Sequence, residues 1–519
     1  MSSDVARESV RGSLALLLGS LVSTVFSAGA IIYTARLLGP DGYGTYTLVL
    51  VLPGILQLFM GFGVNSAATR YSAYYLSRGM QEKAVQITRS SIVILLLFGV
   101  GLSAVNFVAG PYLAGLFLHR SDLGAYVRLA SLWILGGALA QASTSALIGW
   151  GSMGNASLSS AIQGMIKLVA SVSLIFLGFG VYGAIIGQVS SFLVEGAFAT
   201  VAIFLAMRQV GPLYWSGTFA HLREMFSYGI PIFTGGIAGG LASQFLTVVL
   251  ASIASNSMVG FYQAGLNVTV LVSLMSDAVG HSLFRSFATL DGLKADLSAA
   301  YRYAVHYVSF ALSPVVFFLA ASSGVLYGLI YGQFYASHSI ILTLIMVSYF
   351  PVAVGFTVIP SFLNGVGRSG LSMFTTLASA SALAIAGPVL AIWFNLGVVG
   401  IIYALLVSNI ASVALGLFFS KKYLNARLDV MPLVGIIAAC LVAWFAVFLI
   451  PQASIGQVAA LAIDLLVFMV VYFTTVPFFR GIRREDLARL EVASHGMGAL
   501  GRIVRIILSY EGRLLRVTR

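Results

Sequence analysis

Apolar residues fall in long runs, and the runs recur at about the 20 residues a helix needs to cross the hydrocarbon of a bilayer. Approximate limits of 13 to 35, 45 to 69, 89 to 110, 126 to 149, 156 to 177 and 181 to 206 define six spans. Six more follow at 227 to 251, 257 to 281, 302 to 322, 338 to 362, 371 to 394 and 398 to 419, and two extra at 430 to 450 and 457 to 479. Strands of an outer-membrane barrel alternate in stretches of about ten residues, which these runs do not do. The pattern predicts an all-α integral membrane protein with about 14 transmembrane helices, arranged as two pseudo-symmetric six-helix halves plus two C-terminal helices. The expected organisation is an N-terminal segment 1–12, a first half 13–210, a linker 211–226, a second half 227–420, the extra helices in 430–479 and a tail 480–519. The first span is longer than a signal-peptide core and is expected to persist as a helix.

Composition agrees: 59% of residues are apolar, 8% are charged and the mean hydropathy is +0.99. A soluble fold needs more polar surface than that. The net charge of +12 reads as topology, because cytoplasmic flanks retain Lys and Arg. With the N-terminus inside, fourteen basic residues fall on inner flanks and loops and three, Arg36, Arg120 and Arg128, on outer ones. An even span count puts the C-terminus inside too, so a multi-pass protein of the cell membrane with both termini cytoplasmic is expected, and nucleic acid is not a partner. Cys440 stands alone in span thirteen and reads as a packed apolar residue. In the tail, Ile503, Ile506, Ile507, Leu514 and Leu515 alternate with Arg at helical spacing between Leu500 and Val517, the pattern of a helix lying on an anionic leaflet.

A glycine pattern repeats at an offset of 216, carrying Gly149, Gly151 and Gly154 onto Gly365, Gly367 and Gly370, and Gly44 and Tyr46 onto Gly260 and Tyr262. An offset of 217 carries Gly180-Val181-Tyr182-Gly183 onto Gly397-Val398-Val399-Gly400. Two similar halves are the usual build of a secondary transporter. The glycines at the ends of spans four and ten read either as plain turns or as flex points between halves. Pro231, Pro314, Pro351, Pro360 and Pro388 mark expected kinks in the second half, against Pro53 in the first.

The segment Ala35-Arg36-Leu37-Leu38-Gly39-Pro40-Asp41-Gly42-Tyr43-Gly44-Thr45-Tyr46, with Gly61-Phe62-Gly63-Val64-Asn65 and Arg70-Tyr71 after it, resembles the N-terminal signature of polysaccharide repeat-unit flippases. These belong to the multidrug, oligosaccharidyl-lipid and polysaccharide exporter superfamily. The resemblance implies transport of a polyprenyl- or dolichyl-linked oligosaccharide from the cytoplasmic to the outer leaflet for surface polysaccharide or glycan assembly. It also implies ion-coupled alternating access, and glycosyltransferase or polymerase partners. Peptidoglycan-precursor flippases of the superfamily place cations after a Leu-Pro in the second helix, whereas Leu52-Pro53 is followed here by Gly54, Ile55, Leu56, Gln57 and Leu58.

Ionisable groups at depth are costly unless paired or hydrated, so they are the first candidates for function. Lys167 lies about 15 Å into span five and Glu195 about 21 Å into span six at the rise of a helix. Tilt is expected to be able to bring the two together, as a cation for diphosphate with an ion- or proton-sensitive partner, or as a purely structural pair. In span eight Asp277, His281 and Arg285 are spaced by four and share a face. Arg70 falls within one position of Arg285 at the 216 offset. Guanidinium makes bidentate bonds to phosphate, so Arg70 and Arg285 are expected to receive the diphosphate with Lys167 and His281, while Glu195 and Asp277 are candidates for coupling. Snorkelling would equally place arginines at inner helix ends. The mid-depth amides Gln57, Gln141, Gln163, Gln188 and Gln244, with Asn267, read as helix glue or as a hydrated path.

No phosphate-cradling loop ending in Lys-Ser or Lys-Thr occurs, and no Cys/His cluster has metal-ligand spacing, so no cofactor and no metal are expected. Short, nearly uncharged outer loops argue against a membrane enzyme. The rival readings are a multidrug exporter antiporting sodium or protons, which would need an acidic cavity, and a scaffold for polysaccharide assembly.

Overall fold

A computed structural model describes residues 3–208, 219–292, 296–351, 355–450, 456–487, 491 and 508–514. Among these residues every regular element is helical and no strand occurs. The chain divides into two compact units, Met1–Gly260 and Phe261–Arg519.

The first unit holds α1 (Ser3–Leu58), α2 (Val64–Ser77), α3 (Gln81–Phe117), α4 (Gly124–Gly149), α5 (Met153–Leu174), α6 (Gly180–Arg208), α7 (Leu222–Ile253) and the start of α8 (Asn256–Val268). At 56 residues, α1 would be about 84 Å long if straight. It turns instead at Gly39, where φ is 68° and ψ 178° and Pro40 begins the next helical stretch. Span two then breaks a second time. Gly61, Phe62 and Gly63 have φ of 67°, 46° and 81°, and the helix resumes as α2. Gly63 packs directly on the backbone of Gly229 in α7. A five-residue π-turn, Ile175–Phe179, joins α5 to α6. Close helix approach uses small residues: Gly99 sits on Ala138, and Gly196 on Leu139 and Ala140.

The second unit continues with α9 (Val270–Gly292), α10 (Leu297–Ala321), α11 (Ser323–Tyr331), α12 (Gln333–Ala336), α13 (Ile340–Ser348), α14 (Val358–Gly365), α15 (Ser369–Pro388), α16 (Gly397–Leu424), α17 (Val430–Phe448) and α18 (Gln457–Phe478). Span ten is not one helix: it is split into α13 and α14. Pro351 lies in the break, and Asn409 of α16 donates from Nδ2 to the carbonyl of Ser348 at 2.9 Å, satisfying a group that the break exposes. Pro314 lies inside α10 and Pro388 ends α15 ahead of a second π-turn, Val389–Trp393. The extra helices α17 and α18 pack with α10 around Phe468 and Tyr472, and Tyr472 donates to the carbonyl of Phe310 at 3.0 Å. Cys440 is buried in that cluster.

Ten helices among the described residues are long and apolar enough to cross a bilayer, or eleven with α7, which bends by 53° between Thr234 and Ile237. The expectation of about 14 is not reproduced helix for helix. Gly19–Ser77 and Met153–Arg208 each fuse two spans through a sharp turn, and the pieces of span ten are too short to count.

The repeat is visible in the backbone. Gly151 and Gly367 both have φ of 72°, the left-handed residue that ends a helix most cheaply as glycine. The amides beyond them reach back identically, Ser152 to the carbonyl of Leu147 at 2.9 Å and Arg368 to that of Leu363 at 2.8 Å. These are ordinary helix terminators. Gly44 and Gly260 do something different: they touch. A side chain on Gly44 would strike the carbonyl of Asn256, and one on Gly260 that of Pro40, its equivalent at the same offset. Asn256 Nδ2 donates to Thr45 Oγ1 at 3.1 Å and Ser257 Oγ to Asp41 Oδ1 at 3.4 Å.

Only residues 508–514 of the expected amphipathic tail helix are described; the rest of it, with Arg489, Arg502, Arg505, Arg516 and Arg519, lies outside the described residues, as do Lys294 and 209–218 of the linker. The described stretch docks on protein. Leu508 joins the α17/α18 cluster, Tyr510 and Thr474 hydroxyls lie 2.9 Å apart, and Glu511 is fully buried with neither carboxylate oxygen bonded. Burial pushes its carboxyl up to about 8 from the usual 4.5.

Two outcomes follow from these contacts. In thermal unfolding in detergent, Gly44→Ala should lose the most stability, about 2 to 3 kcal/mol from overpacking, with Gly151→Ala costing about 1 to 2 through its positive φ and Gly154→Ala, which faces open space, staying within about 0.5. Docked Glu511 holds a proton that the undocked tail releases between its usual value of 4.5 and about 8. Docking should therefore weaken as pH rises through that window, seen as rising mobility of a spin label attached at Arg513→Cys, and Glu511→Gln should abolish the rise.

Candidate functional site

In the first unit, α2 follows the backbone break and presents Arg70 at its exposed face. The guanidinium carbon lies 4.3 Å from the ring centre of Tyr228, on α7, and 5.4 Å from that of Tyr71. A cation over aromatic faces is attracted by their negative quadrupoles, and this contact leaves the in-plane N–H groups of the guanidinium available to an anion. Arg70 makes no ion pair among the described residues. Behind it Tyr75 donates to Glu224 at 3.2 Å, Glu224 meets His221 at 3.3 Å, and His221 meets Gln86 at 3.3 Å. The ends of α2, α3 and α7 are thereby tied together, with Lys83 also 5.7 Å from the Tyr75 ring centre. Only Arg70 of this group was a sequence candidate. The clue to the rest was the four-residue spacing of Tyr71 with Tyr75 and of Glu224 with Tyr228, which stacks each pair on one helix face.

Lys167 and Glu195 lie on adjacent helices but are not brought together. Ser160 Oγ contacts Glu195 Oε1 at 3.4 Å and Gln163 Nε2 donates to Ser191 at 3.3 Å. This antiparallel register sets Lys167 level with Gln188, seven residues or about 10 Å from Glu195 along α6. Neither the functional nor the structural ion pair expected from tilt is present. Glu195 is buried between α5 and α6, and Lys167 is half-buried on α5. Among the amides, Gln57 bonds the carbonyl of Trp133 at 3.4 Å, Gln188 receives Tyr46 at 3.3 Å and Gln163 ties α5 to α6, so these three join helices. Gln141 is exposed.

The second unit contains a cavity of about 450 Å³. Asp277 and His281 of α9 line it, together with Thr357, Ser361 and Asn364 of the broken span ten, Thr375, Thr376 and Ser379 of α15, and Ser412 of α16. Gly280 lets Ser361 close on α9. Non-helical backbone at membrane depth is tolerated where it borders such a cavity. Asp277, His281 and Arg285 are all exposed on α9 as their spacing predicts. Asp277 forms an ion pair with neither of the others, and Arg285 does not line the cavity. No group of three or more His, Cys, Asp or Glu able to hold a metal occurs among the described residues.

Residues 9–284 match the family described as polysaccharide biosynthesis protein. A putative O-antigen transporter of Shigella flexneri is 22% identical over 374 residues, which cover 70% of this chain and 86% of the relative. Among solved structures, lipid II flippase MurJ in an inward closed conformation aligns with a TM-score of 0.70 at 15% identity, over 90% of this chain and 98% of that one. An inward-facing multidrug resistance MATE transporter of the MOP superfamily aligns with 0.68 at 18% identity, over 78% and 94%. The fold is thus that of the MOP-superfamily transporters.

Because Lys167 and Glu195 are not paired, their effects on stability should add. In a double-mutant cycle of Lys167→Met and Glu195→Gln followed by thermal unfolding in detergent, the coupling should stay below about 0.5 kcal/mol, the limit for distant sites. A coupling above about 1 kcal/mol would show that the register read from Ser160 and Gln163 is wrong.

Proposed function

From the membership of this chain in the polysaccharide biosynthesis protein family, we propose that it flips a lipid-linked oligosaccharide, carried on a polyprenyl or dolichyl diphosphate, from the cytoplasmic to the outer leaflet. It is a multi-pass membrane protein, and in this reading both termini are cytoplasmic. The observation that carries the reading is Arg70. An exposed guanidinium is held over two aromatic rings without a carboxylate partner, on the helix that follows a backbone break. Such a group receives a diphosphate through charge-assisted bonds. Arg285, in the equivalent place of the second half, serves the same end, and Lys167 offers a further cation to the moving headgroup.

Glu195 is the coupling group: a buried carboxylate held by one hydroxyl responds to a proton or a sodium ion. The diphosphate is handled electrostatically, and no bond of the substrate is made or broken, so the protein is a transporter. The tail supplies a basic segment to the anionic leaflet, and enzymes that build or polymerise the glycan are the natural neighbours of its substrate and product. Likeness to a multidrug transporter supports a second reading, export of cations. Against it, the group held over the aromatic rings at the first unit's site is a cation, Arg70, which would repel a cationic substrate.

Leaflet reorientation of a lipid-diphosphate oligosaccharide in reconstituted vesicles tests the proposal. Arg70→Ala and Arg285→Ala should each slow the initial rate by about tenfold or more, the equivalent of one charge-assisted bond of about 1.5 kcal/mol, with Arg70→Lys intermediate. Efflux of a cationic dye without any lipid movement would establish the second reading instead.

A further inference from the structure

We infer that the cavity of the second unit is a subsite for the uncharged sugar residues of the transported headgroup, with Asp277 as the central acceptor of their hydroxyl protons. This rests on the reading of the chain as a carrier of lipid-linked oligosaccharide. The cavity wall is built mainly of hydroxyl side chains. Four of its hydroxyls spend their own protons on backbone or on a neighbouring hydroxyl. Thr375 and Thr376 donate to the carbonyl of Ser372 at 2.7 and 3.2 Å, Ser361 to that of Thr357 at 3.4 Å, and Thr357 Oγ1 to Ser276 Oγ at 3.3 Å. What these four leave for a ligand is lone pairs, and the Asp277 carboxylate adds two more acceptor oxygens.

A wall with a carboxylate at its centre and more acceptors than donors disfavours a diphosphate, which is itself only an acceptor. It also lacks the cations a diphosphate needs, since no Lys or Arg lines it. It matches a ligand rich in O–H donors. Sugar hydroxyls are such donors, and two vicinal hydroxyls can bond one carboxylate together. Phe284 and Phe356 border the same space, offering apolar faces to the C–H side of a pyranose ring. His281 and Asn364 supply the few donors that ring and glycosidic oxygens require. The size agrees: about 450 Å³ lies within the range of about 300 to 1,000 Å³ for small-ligand sites, and far exceeds the space of a single desolvated coupling ion. Asp277 and His281, expected from sequence to serve coupling and diphosphate, are assigned here to the glycan. The headgroup is then read in two places, its phosphates by guanidinium and its sugars by a hydroxyl-lined wall.

The test uses purified full-length protein in nanodiscs. Its probes are neutral oligosaccharides released by mild acid from the lipid-linked pool of the cell that makes this protein, inorganic pyrophosphate, and ethidium as a cationic dye. Saturation-transfer NMR should show the free oligosaccharide binding reversibly, weakened tenfold or more by Asp277→Ala and by Thr376→Val, and less by Asp277→Asn. Pyrophosphate binding should be unchanged in all three variants and lost in Arg70→Ala. Thermal unfolding of each variant within a few degrees of wild type establishes that the loss is local. Oligosaccharide that fails to bind, that binds equally to all variants, or that is displaced by ethidium or sodium at Asp277, overturns the inference. Lipid reorientation measured on the same preparations separates the two levels: if it proceeds while the sugar result is negative, only this subsite is wrong, and if wild type moves no lipid, the transport reading itself falls.

Discussion

Hydrocarbon offers no partner to a peptide group, and everything distinctive in this structure is a response to that fact. A helix satisfies its own backbone, so an unbroken helix costs nothing in lipid, while each break strands amides and carbonyls at several kcal/mol apiece. The chain nonetheless gives up helix at Gly61–Gly63 and between Ser348 and Val358. At the second break protein replaces the missing solvent, since Asn409 reaches the carbonyl of Ser348; at the first, the backbone of α7 packs closely on Gly63. What the breaks provide in return is access. One precedes the helix that carries Arg70, and the other opens the wall of the polar cavity.

The breaks do not fall on equivalent helices. At the 216 offset the break at 61–63 falls on 277–279, inside α9, while span eight pauses instead at Thr269 between α8 and α9; the break in span ten falls on 132–142, inside the continuous α4. The repeat therefore preserves helix ends, as at Gly151 and Gly367, but not the places where polar chemistry enters. Each unit has its own. The first offers a cation over aromatic rings, the second a hollow lined by hydroxyls and the Asp277 carboxylate.

Much of the architecture was legible in the sequence. Runs of apolar residues set the all-helical membrane fold, and glycines at a constant offset gave matching turns, because a left-handed helix end selects for residue type strongly enough to leave a mark. Spacing by four correctly placed Asp277, His281 and Arg285 on one face. Other features left no such mark. Whether two spans are separate or fused through Gly39-Pro40 depends on a single pair of dihedral angles. The distance between Lys167 and Glu195 depends on how α5 slides against α6, which the contacts of Ser160, Gln163 and small residues decide and hydropathy does not record. The split of span ten is foreshadowed by Pro351 and Pro360, yet Pro53 and Pro314 sit inside helices that continue, so proline alone could not locate it.

The contact between Gly44 and Gly260 has a meaning beyond packing. Each position meets its own equivalent, Asp41 likewise meets Ser257, and the carbonyl opposed to one glycine is the counterpart of that opposed to the other. A surface that meets its own copy is the hallmark of an isologous dimer. Positions 44 and 260 thus have, inside one polypeptide, the reciprocal form of a two-fold contact, in which a change at either glycine strikes the backbone that faces the other.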